Sequence, residues 1–171
     1  RCLIENGYDI NMKDGYGGNA LEWAAQENRI SNAKMLIEGG CDVNNLNGDG
    51  MTALYTACAE GNADMARLLL DNNAEPDRTE DATPLIIASC YGKIECVKLL
   101  LEHVADVNTI DNEGRTALFY AVVYRQDEVE KLLSDNGASY DICDKDGVSP
   151  GQLKDEGVRE RIYSELMGEE K

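Results

Sequence analysis

The sequence predicts an all-α fold, a solenoid of stacked helix-turn-helix units with short hairpin tips. Three observations carry that prediction. First, one block recurs at 19–25, 52–58, 83–89 and 116–122, opened by Asn19-Ala20-Leu21, Thr52-Ala53-Leu54, Thr83-Pro84-Leu85 and Thr116-Ala117-Leu118. A degenerate fifth copy starts at Ser149, so the steps are 33, 31, 33 and 33 residues. Second, a leucine-rich block follows in the same register: Met35-Leu36-Ile37, Leu68-Leu69-Leu70, Leu99-Leu100-Leu101 and Leu132-Leu133-Ser134. Third, a turn and an extended tripeptide follow each copy: Asp42-Val43-Asn44, Glu75-Pro76-Asp77, Asp106-Val107-Asn108 and Tyr140-Asp141-Ile142. A period near 33 marks stacked units, each too small to bury its own apolar face.

The elements follow in order. Helix pairs are expected at 20–27 and 31–38, 53–60 and 63–71, 84–91 and 94–102, and 117–124 and 127–134, then a C-terminal pair ending near 167. Thr52, Thr83, Thr116 and Ser149 stand where a hydroxyl can cap a first helix. Pro84 and Pro150 follow two of them, in the first turn, where a missing amide hydrogen costs nothing. Small residues line the first helices (Ala24, Ala25, Ala57, Cys58, Ala88, Ser89, Ala121) and allow close approach of neighbours. Gly61 and Gly92 suit the positive φ of a helix stop. Adjacent leucines give the second helices broad apolar faces. Gly17, Gly50, Gly114 and Gly147 mark the hairpin turns between units.

The two ends read differently. Residues 1–11 match only the back half of a unit, with Leu3-Ile4-Glu5 in the place of Leu36-Ile37-Glu38. The chain is therefore expected to be a piece of a longer protein. Val158, Ile162 and Leu166 recur every four residues among charged neighbours, as in a closing amphipathic helix with a polar exterior. Residues 168–171 read as a frayed tail.

Composition excludes several functions. The net charge is −17, from 33 acids against 16 bases, and there is no basic stripe to neutralise phosphates. That argues against nucleic acid and favours basic or neutral partners. No apolar run is long enough to span a membrane. Six cysteines share no compact spacing, and Cys58 and Cys96 stand where other copies have Ala, Ser, Met or Val. They read as small core residues of a reducing compartment, intracellular and cytoplasmic. No metal site is expected: there is no Cys-x-x-Cys pair, and His103 is the single histidine, placed at the end of a second helix. Neither a nucleophile motif nor a glycine-rich phosphate loop is present, so neither catalytic residues nor cofactors are expected.

The Thr-Pro-Leu at 83–85, the leucine triplets at 68–70 and 99–101 and the Asp-Val-Asn tripeptides resemble the ankyrin repeat family, over essentially the whole chain. The resemblance implies one domain, 1–171: a partial repeat at 1–13, repeats at 14–46, 47–77, 78–110 and 111–143, and a capping repeat at 144–171. It implies a monomeric, non-catalytic module that binds a protein or peptide on a concave face, formed by hairpin tips and first helices. The alternative is a targeting or regulatory array within a larger enzyme. Carried onto this chain, the binding positions are Tyr16, Asp49, Met51, Glu80, Glu113 and Arg115 at the tips, and Glu27, Glu60, Tyr91 and Tyr124 at the helix ends. The acids would attract a basic partner, and Tyr91 and Tyr124 would give apolar contact area. Trp23, Ile87, Tyr120 and Leu153 share a position that the family fills with apolar packing, so Trp23 is expected in the core. Glu22, Tyr55, Ile86, Phe119 and Gln152 replace a histidine common in the family, which implies more apolar packing. The shortened loop at 78–82 departs from the family's tip. Asn44 and Asn108 hold a position that asparaginyl hydroxylases modify in ankyrin repeats; the simpler expectation is that they close local turns.

Overall fold

The computed structural model describes residues 9–168, so the expectations for the half-unit at 1–8, for Cys2 and for the tail at 169–171 lie outside the described residues. Each first helix starts where a side-chain oxygen takes up free amides. Helix α1 (Ala20–Gln26) follows Asn19, whose Oδ1 accepts from the Leu21 and Glu22 amides at 3.0 and 3.1 Å. Helices α3 (Ala53–Glu60), α5 (Pro84–Cys90) and α7 (Ala117–Val123) follow Thr52, Thr83 and Thr116, whose hydroxyls accept at 3.2, 3.3 and 3.2 Å. Such a cap contributes about 1 kcal/mol. Just past these helices one residue turns left-handed: Asn28, Gly61, Gly92 and Arg125 have φ of 51°, 79°, 64° and 56°. The chain then re-enters as α2 (Ile30–Glu38), α4 (Ala63–Asp71), α6 (Ile94–Glu102) and α8 (Asp127–Asp135).

First helices pack on first helices in one row, and second helices on second helices in a parallel row. The buried contacts of the first row are largely small, among them Ala25, Ala57, Cys58, Ala88, Ser89 and Ala121. Those of the second row include Leu69, Leu70, Leu99, Leu100 and Leu133. Interaxial distance follows side-chain size, so small side chains let the first helices approach closely. Between the rows, Leu21, Leu54, Leu85 and Leu118 stand in register and are all buried.

Four hairpin tips share one construction. The Asp14, Asn47, Asp111 and Asp144 amides donate to the carbonyls four residues on, at 2.9, 3.0, 3.0 and 2.9 Å. Each of these side chains also accepts from two amides of its own turn. The shortened third tip is built otherwise: the Thr79 hydroxyl accepts from the Asp81 amide, and Asp81 accepts from the Asn112 amide of the next tip. Among the described residues, β pairing is confined to a single bridge, Ile110 with Thr116.

The structure corrects four expectations. Trp23 is 52% exposed rather than in the core; its indole Nε1–H donates to Asp14 at 2.7 Å and holds the ring out toward the tip. Cys143 is exposed, whereas Cys41, Cys58 and Cys96 are buried and Cys90 half-buried. The first member of the C-terminal pair is only a 3-10 turn, Gln152–Lys154, because Asp155 is extended and caps α9 (Glu156–Met167). Finally, Ile86 and Phe119 are buried as expected, but Glu22 keeps a polar link between repeats by accepting from the Asn47 side chain. Burial raises the Glu22 carboxyl pKa, and its other oxygen has no partner.

Candidate functional site

The ends of the first helices and the hairpin tips each recur in repeat register, as two columns along the stack. At the helix ends stand Glu27, Glu60, Tyr91 and Tyr124, in repeat register. Glu27 and Glu60 are exposed, and Glu27 lies 4.0 Å from Arg29. Tyr91 is 58% exposed. Tyr124 is half-buried: it stacks on Tyr120 at 6.4 Å and meets the Tyr163 ring edge-on at 5.8 Å.

At the tips stand Tyr16, Asp49, Glu80 and Glu113, all exposed. Backbone bonds tie consecutive tips together, from Gly48 N–H to the Tyr16 carbonyl (2.6 Å), Glu80 to Gly50 (3.1 Å) and Lys145 to Glu113 (2.9 Å). At Gly50, with φ of 72°, a Cβ would sit 2.6 Å from that of Glu80, so glycine is required for this tip contact. The Glu113 carboxylate is 3.5 Å from Lys145 Nζ. Met51 is half-buried. Arg115 is turned inward instead: its Nε lies 3.4 Å from the buried Asp144, and its guanidinium sits over Phe119. The sequence-derived positions thus fall into a tip column, acidic from Asp49 on, and a mixed helix-end column, with Arg115 tying repeats together.

Three aromatic side chains escaped sequence reasoning. Tyr55 and Tyr163 extend the Tyr91–Tyr124 pair: burial raises the Tyr55 phenol pKa first, and neighbouring Tyr91 and Asp81 add to it. Trp23 stands between two clefts of about 460 and 360 Å³, one toward Met35 and one toward Met12. Tyr120, in the same register, donates its hydroxyl to Asp111 at 2.7 Å, just as Trp23 donates to Asp14.

Asn44 and Asn108 do more than close local turns. The Asn44 amide donates to the Asn73 carbonyl at 3.0 Å and accepts from the Glu75 amide at 2.8 Å. Asn108 repeats the pattern with Gly137 and Ser139 at 3.2 and 2.9 Å. Both reach into the following repeat and link neighbours.

Among the described residues no His, Cys, Asp or Glu group is arranged to hold a metal, and no helix is long and apolar enough to cross a membrane. A family model of ankyrin repeats (three copies) matches residues 1–80 and 77–146. Protein phosphatase 1 regulatory subunit 27 of Homo sapiens is 34% identical over 42% of this chain and 46% of its own length. A probable 26S proteasome regulatory subunit p28 of Saccharomyces cerevisiae is 43% identical over 37% of this chain and 28% of that protein. Serine/threonine-protein kinase 12 of Arabidopsis thaliana is 36% identical over 37% of this chain and 14% of that protein. The chain therefore spans less than half the length of each of these relatives.

Proposed function

Because the chain belongs to the ankyrin repeat family, we propose that it is a non-catalytic protein-interaction module that takes a basic protein or peptide on the concave side of the stack. Ankyrin repeats mediate protein–protein interaction, and the finer reading rests on one observation. Exposed acids (Glu27, Asp49, Glu60, Glu80, Glu113) and the exposed Tyr16 and Tyr91 recur along the tip and helix-end columns, in a chain whose net charge is −17. Complementary charge speeds encounter with a basic partner. Tyr91 supplies apolar area with a polar edge, the kind of side chain that anchors interfaces. Individual exposed ion pairs contribute only about 0–1 kcal/mol, so the acids set rate and salt dependence while the tyrosines carry affinity. In this reading 1–171 acts as one monomeric domain inside the cell, with repeats bounded at 14–46, 47–77, 78–110 and 111–143.

A second reading has one specific support. The match to a plant kinase covers a small share of that protein, so the same array could serve as the targeting or regulatory part of a larger enzyme.

The test is affinity capture from cell lysate, read by mass spectrometry, followed by binding kinetics with the captured partner. Tyr91→Ala with Tyr124→Ala should weaken binding roughly ten-fold or more, with circular dichroism confirming the fold. Charge reversal at Glu60 and Glu113 should slow association and flatten its salt dependence. A partner that binds both variants like the parent would place the interface elsewhere.

A further inference from the structure

The helix-end column changes character halfway along the stack, and the change is sharp. Glu27 and Glu60 close the first two inner helices, whereas Tyr91 and Tyr124 close the next two. The tip column begins at Tyr16 and is acidic from the second tip on, with Asp49, Glu80, Glu113 and the exposed Asp146 in register. Over the first two repeats the stack thus presents Glu27 and Glu60 from the helix-end column and Asp49 from the tips. Among the described residues, Asp49 and Glu60 have no basic group within ion-pair distance, while Glu27 lies 4.0 Å from Arg29. Over the later repeats the helix-end column is aromatic, and Tyr163 continues it onto the closing helix α9. Local bases there already engage acids: Lys145 lies beside Glu113, and Arg125 bonds Glu156 and Glu160 at 3.2 and 2.6 Å.

We infer that this face reads one extended polypeptide segment in two zones, with basic side chains held over the first two repeats and apolar side chains over Tyr91 and Tyr124. The inference rests on the concave-face reading above and adds an order and a spacing to it. The spacing comes from geometry. Packed helices lie about 8–10 Å apart, so the groove repeats its contacts at that interval. A polyproline-II segment has three residues per turn and rises about 3.1 Å per residue, so side chains three apart share a face about 9 Å apart. A β-strand alternates faces and would turn every third side chain away. The matching segment therefore carries basic-x-x-basic-x-x-apolar-x-x-apolar.

The order of zones is tested with two fluorescein-labelled synthetic peptides of identical composition. One carries Arg-x-x-Arg-x-x-Leu-x-x-Leu and the other the interleaved Arg-x-x-Leu-x-x-Arg-x-x-Leu, both with proline and alanine at the x positions. Fluorescence anisotropy should give the first peptide an affinity at least ten-fold higher. Tyr91→Glu should erase the preference by extending the acidic zone, while Glu60→Lys should weaken the first peptide most. Equal binding of the two peptides, both weakened by Glu60→Lys, would overturn the two-zone order and leave the concave-face reading standing. Binding that neither substitution alters would overturn both. Absence of binding by either peptide at millimolar concentration would overturn the two-zone segment, while the lysate capture decides the broader reading separately.

Discussion

Leu36 and Leu133 hold the same place in the first and fourth repeats, yet Leu36 is half-buried and Leu133 is fully buried. The backbone around them is the same. Asp14 and Asp111 build matching tips, and Asn28 and Arg125 make the same left-handed stop. What differs is the surroundings. Among the described residues α1 packs on the inner helix of one neighbouring repeat, α3, whereas α7 is held between α5 and the closing 3-10 turn with α9. Register fixes backbone conformation, and neighbours fix burial. Stability in such a stack resides largely at the interfaces between units.

The largest effect should come from truncating the enclosed leucine. Leu133→Ala should cost about 2–5 kcal/mol, the range for a leucine removed from a close-packed core. Leu36→Ala should cost less than half as much, because solvent already reaches the site. Urea denaturation followed by far-UV circular dichroism measures both. Equal losses would show that Leu36 is as enclosed as its counterpart.

A smaller effect should separate the two aromatic donors. Tyr120 and Trp23 each donate to the tip acid nine residues back, at 2.7 Å in both cases. Asp111 is buried at 8% exposure, whereas Asp14 is exposed. Tyr120→Phe leaves a buried carboxylate short of a partner and should cost about 1–3 kcal/mol. In Trp23→Phe, water replaces the lost donor, so the cost should stay below about 1 kcal/mol. The same denaturation experiment decides it, and a reversed order would mean that Asp111 is better hydrated than its burial implies.

These contrasts also show what the sequence could disclose. Caps, turn glycines and helix limits were legible because each depends on local chemistry repeated four times: Thr52, Thr83 and Thr116 cap as their hydroxyls require. Trp23 was not legible, since its register fits a packing residue and only the neighbouring helices decide whether such a residue is covered. The C-terminal unit was half legible: α9 has the expected apolar spacing, but Asp155 stops the preceding turn after Lys154. The two columns of the candidate site could be placed by register. The inward turn of Arg115 could not, because it depends on the buried Asp144 in the next unit.

The smallest effect distinguishes the junction of the second and third repeats from the other junctions. Asn11, Asn44 and Asn108 each accept from an amide of the following repeat, at 2.6, 2.8 and 2.9 Å. Each also donates its side-chain amide to the carbonyl of a left-handed residue, Gly40, Asn73 or Gly137. Asp77 takes this place in the remaining copy. Its Oδ2 accepts from the Asp106 amide at 3.0 Å, but its Oδ1 is buried without a partner. The left-handed residue in that register is Val104, with φ of 64°, so a carboxylate oxygen stands where the other copies offer an N–H to a carbonyl. Burial accordingly raises the Asp77 pKa. A folded-state pKa above the unfolded one favours the fold below the unfolded value, and that contribution is lost as pH rises through the folded value. Asp77→Asn should restore the missing donor and stabilise the protein at pH 7 by about 0.5–1.5 kcal/mol. The advantage over the parent should shrink as pH falls through the Asp77 pKa, where the protonated parent acquires its own donor. Thermal unfolding of both proteins from pH 7 to pH 4 measures this difference. A variant that is less stable at pH 7, or an advantage unchanged by acid, would show that Asp77 does not face that carbonyl.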